Sequence, residues 1–427
     1  MLKDRDRRTT GYFDPEEVMP LEERRTYERA QLQTIVQHAY AHSKGTKIRL
    51  DEAQVRPQEI QGPDDLRRLP VLKKSELVDR QKQAFLFGDL LGVPMEELRR
   101  IYISPGPIYD PEGREAGYFG MGRALYAAGF RKGDLVQNCF AYHFTPGGMM
   151  MDNGLSLVGC IVIPAGTGNS ELQARVLRDL PVTGYVGTPS FLMVIAEKAE
   201  ELGFDVKKDL SLEVAFVGGE MLPETLRKAL EEKFKVLVRQ GYGTADLGAV
   251  AYECPFAAGM HLSEEVLVEI VDHETGEPKR PGEPGEVVVT VFNKVYPLIR
   301  FGTGDLSAFV EEPCPCGRTS KRLLGIFGRV GEATKVRGMF VHPRQVEEIV
   351  GRFPAIARWQ VVVDRRGYQD EMTFRIELKE DVNQTPLLAE LQKTIRDILK
   401  LRAEIEVVPA GTLREADRKI VDVRKWG

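Results

Sequence analysis

Between residues 133 and 239, short apolar, β-branched runs alternate with longer stretches of helical spacing, and no other feature of the chain restricts its fold as much. The runs are Leu135–Phe140, Cys160–Pro164, Tyr185–Gly187, Val214–Val217 and Val236–Arg239. Helix-like stretches at Glu171–Asp179, Phe191–Leu202 and Pro223–Phe234 lie between them. Junctions such as Gly168-Asn169-Ser170 and Thr188-Pro189-Ser190 carry the residues that punctuate elements. This alternation predicts a parallel sheet flanked by helices, with ligands bound beyond the carboxyl ends of its strands.

The flanks differ. Residues 20–100 are Arg/Glu-rich with apolar residues three and four apart, as in Leu21 to Tyr40, and predict a mostly helical lead-in. Val266–Asp272 and Glu286–Phe292, joined by the Gly/Pro-rich His273–Gly285, predict a hairpin. Beyond Gly328–Gly338 the tail reads as helix (Pro343–Phe353), two strands (Arg358–Asp364, Met372–Leu378), helix (Pro386–Leu399) and strand (Ala403–Val408). The expected fold class is therefore α/β. A large N-terminal body (1–329, with a helical lead-in over 1–100) carries parallel or mixed sheets flanked by helices, and a small α+β C-terminal cap domain (330–427) follows. A chain of 427 residues has room for two or three cores. With 42% apolar and 29% charged residues it has the composition of a soluble globular protein. A net charge of −5 gives no basic field for nucleic acid or an anionic membrane. No run is long enough to span a bilayer, and the charged start MLKDRDRRTT resembles no secretory signal. Five cysteines, an odd number, argue for a reducing compartment, so a cytoplasmic enzyme is expected.

Four constellations can carry chemistry. Cys254 and His261, with Cys314 and Cys316 later in the body (254–316), supply three thiolates and an imidazole in turn-rich sequence, a tetrahedral zinc set with no open position. Free thiols with a surface histidine give the same sequence, while Cys139 and Cys160 lie in apolar runs and read as core. In Arg300-Phe-Gly-Thr-Gly-Asp305 a Gly-bounded turn presents one carboxylate suited to a ribose diol, although a capped turn looks alike. In Tyr242-Gly243-Thr244-Ala245-Asp246 the glycine permits close approach of a ligand, and Asp246 can hold Mg²⁺. Gly218-Gly219-Glu220 ends a predicted strand and suits a flat ring or a plain turn.

Together, in this order and spacing, these segments resemble the adenylate-forming superfamily, and most nearly its phenylacetate–coenzyme A ligase family. Gly218-Gly219-Glu220 is similar to the adenine-contacting turn, and Tyr242, Gly243 and Thr244 with Asp246 to the nucleotide- and Mg²⁺-binding segment. Arg300–Asp305 resembles the ribose clamp. Gly328-Arg329 through Gly338 resembles the domain hinge, with Arg329 at the nucleotide and Gly331 at the hinge position. Arg414–Val423 resembles the segment carrying the adenylation lysine, here Lys419. Some members hold zinc through a Cys/His cluster in the corresponding region. Departures accompany the likeness. Where the family has a Ser/Thr/Gly-rich phosphate loop with a lysine, this chain reads Ser104-Pro105-Gly106-Pro107-Ile108-Tyr109-Asp110-Pro111-Glu112-Gly113. Its prolines donate no N–H, the lysine is absent, and Asp110 and Glu112 are expected to repel a triphosphate. Ala245 replaces a hydroxyl residue, and Asp246 shortens the usual Glu.

The resemblance implies a two-step reaction without a protein nucleophile. A carboxylate attacks the α-phosphorus of ATP and expels pyrophosphate; the thiol of coenzyme A then displaces AMP. It assigns Lys419 to bridge carboxylate and α-phosphate, Mg²⁺ on Asp246 to neutralise charge, Asp305 to hold the ribose, and rotation of the tail about Gly331 to exchange the two steps. Apart from the resemblance, Lys419 reads as one solvated charge among several. Tyr142, His143 and Phe144 align with the acyl pocket and predict a flat, aromatic acid; a core histidine is the plain reading of His143. Expected partners are thus a small carboxylic acid, ATP and coenzyme A, with Mg²⁺ and structural Zn²⁺, in a monomer or homodimer. The rival readings are a relative that adenylylates another acceptor and a degenerate one that binds nucleotide or acyl ligand without turnover.

Overall fold

Alternate residues of Val214–Val217 face opposite ways. Ala215 and Val217 belong to one buried cluster with Leu177, Leu192, Ile195 and Val238, and Val214 and Phe216 to another with Leu125, Val136, Leu155 and Val186. A strand covered on both faces needs continuous apolar sequence, which is why this run shows no polar alternation. The computed structural model describes residues 5–104, 107–330, 334–336, 339–341, 343–366, 369–379, 383–414 and 419–423. The chain divides into two compact units, Met1–Ile326 and Phe327–Gly427.

In the first unit, five parallel strands run in the order Ile161–Pro164, Leu135–Asn138, Gly184–Gly187, Val214–Val217 and Leu237–Thr244. Gly248–Glu253, Met260–Leu262, Arg322–Leu323 and Phe309–Val310 continue the sheet antiparallel. The helices Ser170–Asp179, Pro189–Glu201 and Glu224–Phe234 stand where their spacing predicts. Pro189–Glu201 begins at Thr188, whose hydroxyl accepts the Phe191 N–H, with proline first in the helix where no donor is needed. A second sheet holds the predicted hairpin, Val266–Val271 paired with Gly285–Val291, then Phe301–Ser307 and, parallel to it, Leu72–Lys73.

The lead-in is mostly helical, as expected, but in shorter pieces than its spacing suggests. Leu21–His42, Lys44–Glu52 and Leu77–Gln83 are helices. Pro57–Glu59 and Pro63–Arg68 are 3-10 turns that start on proline, and Leu72–Lys73 joins a sheet. Proline has no N–H to give a helix interior, so such sequence breaks into short pieces. Arg100–Ser104 and Ile108–Glu112 form an antiparallel hairpin in the place of a phosphate loop, with Arg100 opposite Glu112.

The second unit is an α+β layer. Its sheet has the order Glu404–Val407, Gln369–Leu378, Ile356–Arg366, Ile420–Asp422. Helices Pro343–Gly351 and Gln384–Leu399 bury Val346, Ile349, Leu391 and Ile395 with Val361, Val363, Phe374 and Ile376. Among the described residues no helix is long and apolar enough to cross a membrane.

Candidate active site

The strand Leu237–Thr244 brings most of the singled-out residues of the first unit to one end of the sheet. A Cβ at Gly241 would fall 2.2 Å from the Phe216 ring, and one at Gly243 2.5 Å from the Gly248 carbonyl, so both positions require glycine. The strand can therefore continue past the core before folding back at Ala245–Leu247. Tyr242 then reaches the second sheet, where its hydroxyl donates to Asp305 Oδ2 at 2.8 Å. Asp305, within the strand Phe301–Ser307, is held from behind: the Gly304 N–H donates to Glu286 Oε1 at 3.0 Å, and the Asp305 N–H to Thr303 Oγ1 at 3.1 Å. Arg300, at the start of the same motif, is buried and does not face a ligand. Its guanidinium donates to Glu269 and to the Leu69 and Gly276 carbonyls.

Next along the sheet, Gly218 follows the strand Val214–Val217 and donates its N–H to the Gly187 carbonyl, while Gly219 takes φ +77. Glu220 accepts from Ser190 Oγ at 2.8 Å, which ties the turn to the start of helix Pro189–Glu201. Phe140 and Tyr142 lie against glycines: a Cβ on Gly219 would stand 3.7 Å from Phe140, and one on Gly148 2.8 Å from Tyr142. The Tyr142 hydroxyl accepts from Asn138 Nδ2 at 2.8 Å. His143 is exposed, and Phe144 is 75% exposed with φ +59, so neither lines an enclosed cavity.

Asp246 is 7% exposed and accepts from Lys74 Nζ at 2.5 Å. Lys74, which sequence reasoning passed over, follows the strand Leu72–Lys73. Its only sequence signal is a doubled lysine after a short apolar pair, common enough to mean nothing alone. Asp110 in the hairpin sits near the same carboxylate. Burial, then repulsion by Asp246, pushes Asp110 up to about 8, with Ser104 and Lys74 offsetting only part. Glu112, expected to repel a triphosphate, is instead fully buried and accepts from Arg100 and Tyr102. An ion pair that closes on itself presents little charge to a ligand.

Cys254, His261, Cys314 and Cys316 converge, with ligand atoms within 4.8 Å of one another. Cys254 Sγ and Cys314 Sγ are 3.6 Å apart, and Cys316 Sγ is 3.3 Å from His261 Nε2. Thiolates on one tetrahedral zinc stand about 3.8 Å apart, so the donor set fits the ion. Ser320 Oγ lies 3.4 Å from His261 Nδ1, leaving Nε2 toward the thiols. Cys139 is buried in the core, whereas Cys160 is half-buried at a strand start.

Lys419 belongs to the second unit. It immediately precedes the edge strand Ile420–Asp422, its carbonyl accepts the Val361 N–H, and its ammonium stands 5.3 Å over the Trp359 ring. Arg329 is exposed in Gly328–Arg329. The hinge position Gly331 lies outside the described residues.

Comparison with known proteins adds what geometry alone does not name. The family model for AMP-binding enzymes matches residues 120–291, and that for the AMP-binding enzyme C-terminal domain matches 338–424. The chain is 31% identical to the phenylacetate-coenzyme A ligase of Thermus thermophilus over 97% of this chain and 100% of the relative. It is 28% identical to the phenylacetate-coenzyme A ligase of Escherichia coli over 96% and 97% of the two chains. Among solved structures, 2-hydroxyisobutyryl-CoA ligase bound to 2-HIB-AMP has a TM-score of 0.81 at 24% identity, covering 96% of this chain and 91% of that one.

Proposed function

Because the chain belongs to the adenylate-forming AMP-binding enzymes, with phenylacetate–coenzyme A ligases among its relatives, we propose that it converts an aromatic carboxylic acid to its coenzyme A thioester. It is an acid–thiol ligase working through an acyl-AMP. The observation that carries the site is the Tyr242–Asp305 hydrogen bond, which unites two motifs far apart in sequence on one carboxylate suited to a ribose diol.

In this reading Asp305, oriented by Tyr242 and by the Glu286-braced strand segment, accepts both ribose hydroxyls. The flat Gly218–Gly219 backbone admits the adenine ring, and Glu220 with Thr244 and Arg329 borders the nucleotide. Lys419 bridges the attacking carboxylate and the α-phosphate, where its charge counts most as charge shifts toward pyrophosphate. Asp246 would hold Mg²⁺, which supplies neutralisation of phosphate charge. The acid then lies toward Phe140 and Tyr142, whose rings against backbone glycine favour a planar group, with His143 and Phe144 at the rim. Cys254, His261, Cys314 and Cys316 would hold a structural Zn²⁺.

The test is AMP release on incubation with ATP, Mg²⁺, coenzyme A and a panel of aryl and short hydroxylated aliphatic acids. Aryl-dependent AMP and thioester formation, lost by orders of magnitude in Lys419→Ala, is expected. Turnover with aliphatic acids alone removes the aromatic assignment, and nucleotide binding without turnover of any acid removes the ligase reading.

A further inference from the structure

The hairpin over the phosphate-loop residues sets a buried carboxyl, Asp110, beside a second acid, Asp246. Asp110 is 1% exposed, and neither of its oxygens has a hydrogen-bond partner among the described residues. Asp246 spends Oδ2 on Lys74, and its Oδ1 is likewise without a partner. Two hydroxyls around the pair share that condition: Ser104 Oγ, on a residue 6% exposed, and the 1% exposed Tyr296 hydroxyl. Ser104 is close enough to Asp110 to favour its charged form, and Tyr296 lies within electrostatic reach of both carboxylates. A folded protein rarely leaves so many buried oxygens unanswered in one place. Nor are these groups loosely held. Gln81, in helix Leu77–Gln83, exchanges two hydrogen bonds with the Tyr109 backbone and fixes the strand that presents Asp110.

We propose that Asp110 and Asp246, with the Ser104 hydroxyl, form a preassembled divalent-cation site that binds Mg²⁺ or Mn²⁺ before any nucleotide. The chemistry fits. The donors are all oxygen, two of them carboxylates, which suits a hard divalent ion that keeps waters for its remaining positions. Lys74 offsets one carboxylate, so an incoming dication displaces the proton that burial and Asp246 keep on Asp110. A single acidic residue facing a nucleotide holds its metal mainly through the phosphates; a second carboxylate makes binding independent of them. The hairpin would thereby grip pyrophosphate through a bound cation, where the resemblance expects backbone N–H groups and a lysine. That last role rests on the ATP-dependent reading above; the site itself does not.

The test uses the full chain, dialysed free of Mg²⁺ and without nucleotide, titrated with Mn²⁺ and read by loss of the free-ion electron paramagnetic resonance signal. One oxygen-type site displaced by Mg²⁺ is expected, and Asp110→Asn should weaken Mn²⁺ at least about tenfold. The Cys/His cluster is a poor match for Mn²⁺ and is unchanged in this variant, so it does not contribute to the difference. Ser104→Ala, which removes one hydroxyl, should weaken binding less and carries the test if Asp110→Asn does not fold. Absence of Mn²⁺ binding in the wild type overturns the proposal, because the carboxylates then share a proton alone. Unchanged affinity in the folded Asp110→Asn protein, or in Ser104→Ala if that variant alone folds, also overturns it. Since no nucleotide or acid is present, failure here leaves the ligase reading intact, and failure of turnover leaves this result intact.

Discussion

Tyr242 and Asp305 show how one hydrogen bond can turn two weak sequence motifs into a site. Alone, the Asp305 motif reads as a capped turn and the Tyr242 segment only as backbone a ligand can approach; the 2.8 Å contact places their polar groups together at the sheet end. A hydrogen bond to a charged acceptor contributes about 1.5–3 kcal/mol. Tyr242→Phe keeps the ring and removes only the donor, so in the proposed site the Asp305 carboxylate loses one of the groups that orient it toward the ribose. The KM for ATP should rise about tenfold with little change in kcat, measured at saturating acid and coenzyme A. An unchanged KM would detach Tyr242 from the nucleotide. Lys74 teaches the converse lesson. Nothing in its local sequence marks it, yet it supplies the counter-charge of Asp246.

At the scale of elements, strand ends are held by side chains from outside the sheet. Asp134, just before the strand Leu135–Asn138, accepts two hydrogen bonds from the Arg8 guanidinium and one from the Arg131 N–H. Both Arg8 and Asp134 side chains are about 95% buried, at 5% and 4% exposure. Burial opposes the Asp134 charge, but the Arg8 bonds outweigh it and hold the carboxyl below its ordinary 3.8. A depressed carboxyl contributes stability above its unfolded pKa and loses it as pH falls through the folded value. Asp134→Asn, which leaves the buried guanidinium with Glu213 at 2.7 Å as its carboxylate partner, should lower stability by about 2 kcal/mol at pH 7. The gap to wild type should close as the pH drops below about 4, read by denaturant melts across that range. The hairpin Arg100–Ser104/Ile108–Glu112 belongs to this scale too. Its register sets Arg100 opposite Glu112, which neutralises one acid and leaves Asp110 alone to act.

For the whole molecule, each of the two units has its own core, so perturbing one should not melt the other. The Cys/His cluster joins the end of Gly248–Glu253, the strand Met260–Leu262 and the segment around Cys314–Cys316, all in the first unit. Removing zinc with a strong chelator should lower the melting temperature of that unit by at least about 5 °C and leave exchange protection in Phe327–Gly427 unchanged. Stoichiometric metal analysis before and after checks the premise. Much of this architecture is legible in the chain alone. Strand and helix positions from Leu135 to Phe234, the hairpin of Val266–Val291 and the elements of the tail follow from local periodicity and punctuation, because burial on one or both faces writes itself into short-range pattern. The order and spacing of Gly218, Tyr242, Asp246, Asp305 and Lys419 name the family for the same reason: each belongs to a short motif legible within a few residues. What only the tertiary structure decides is pairing across distance. That Ser104–Gly113 folds as a hairpin, that Glu112 is neutralised while Asp110 is stranded, and that Lys74 answers Asp246 depend on which strands lie side by side. A charge has no fixed meaning in sequence; its neighbours and its burial give it one, and those come from the fold.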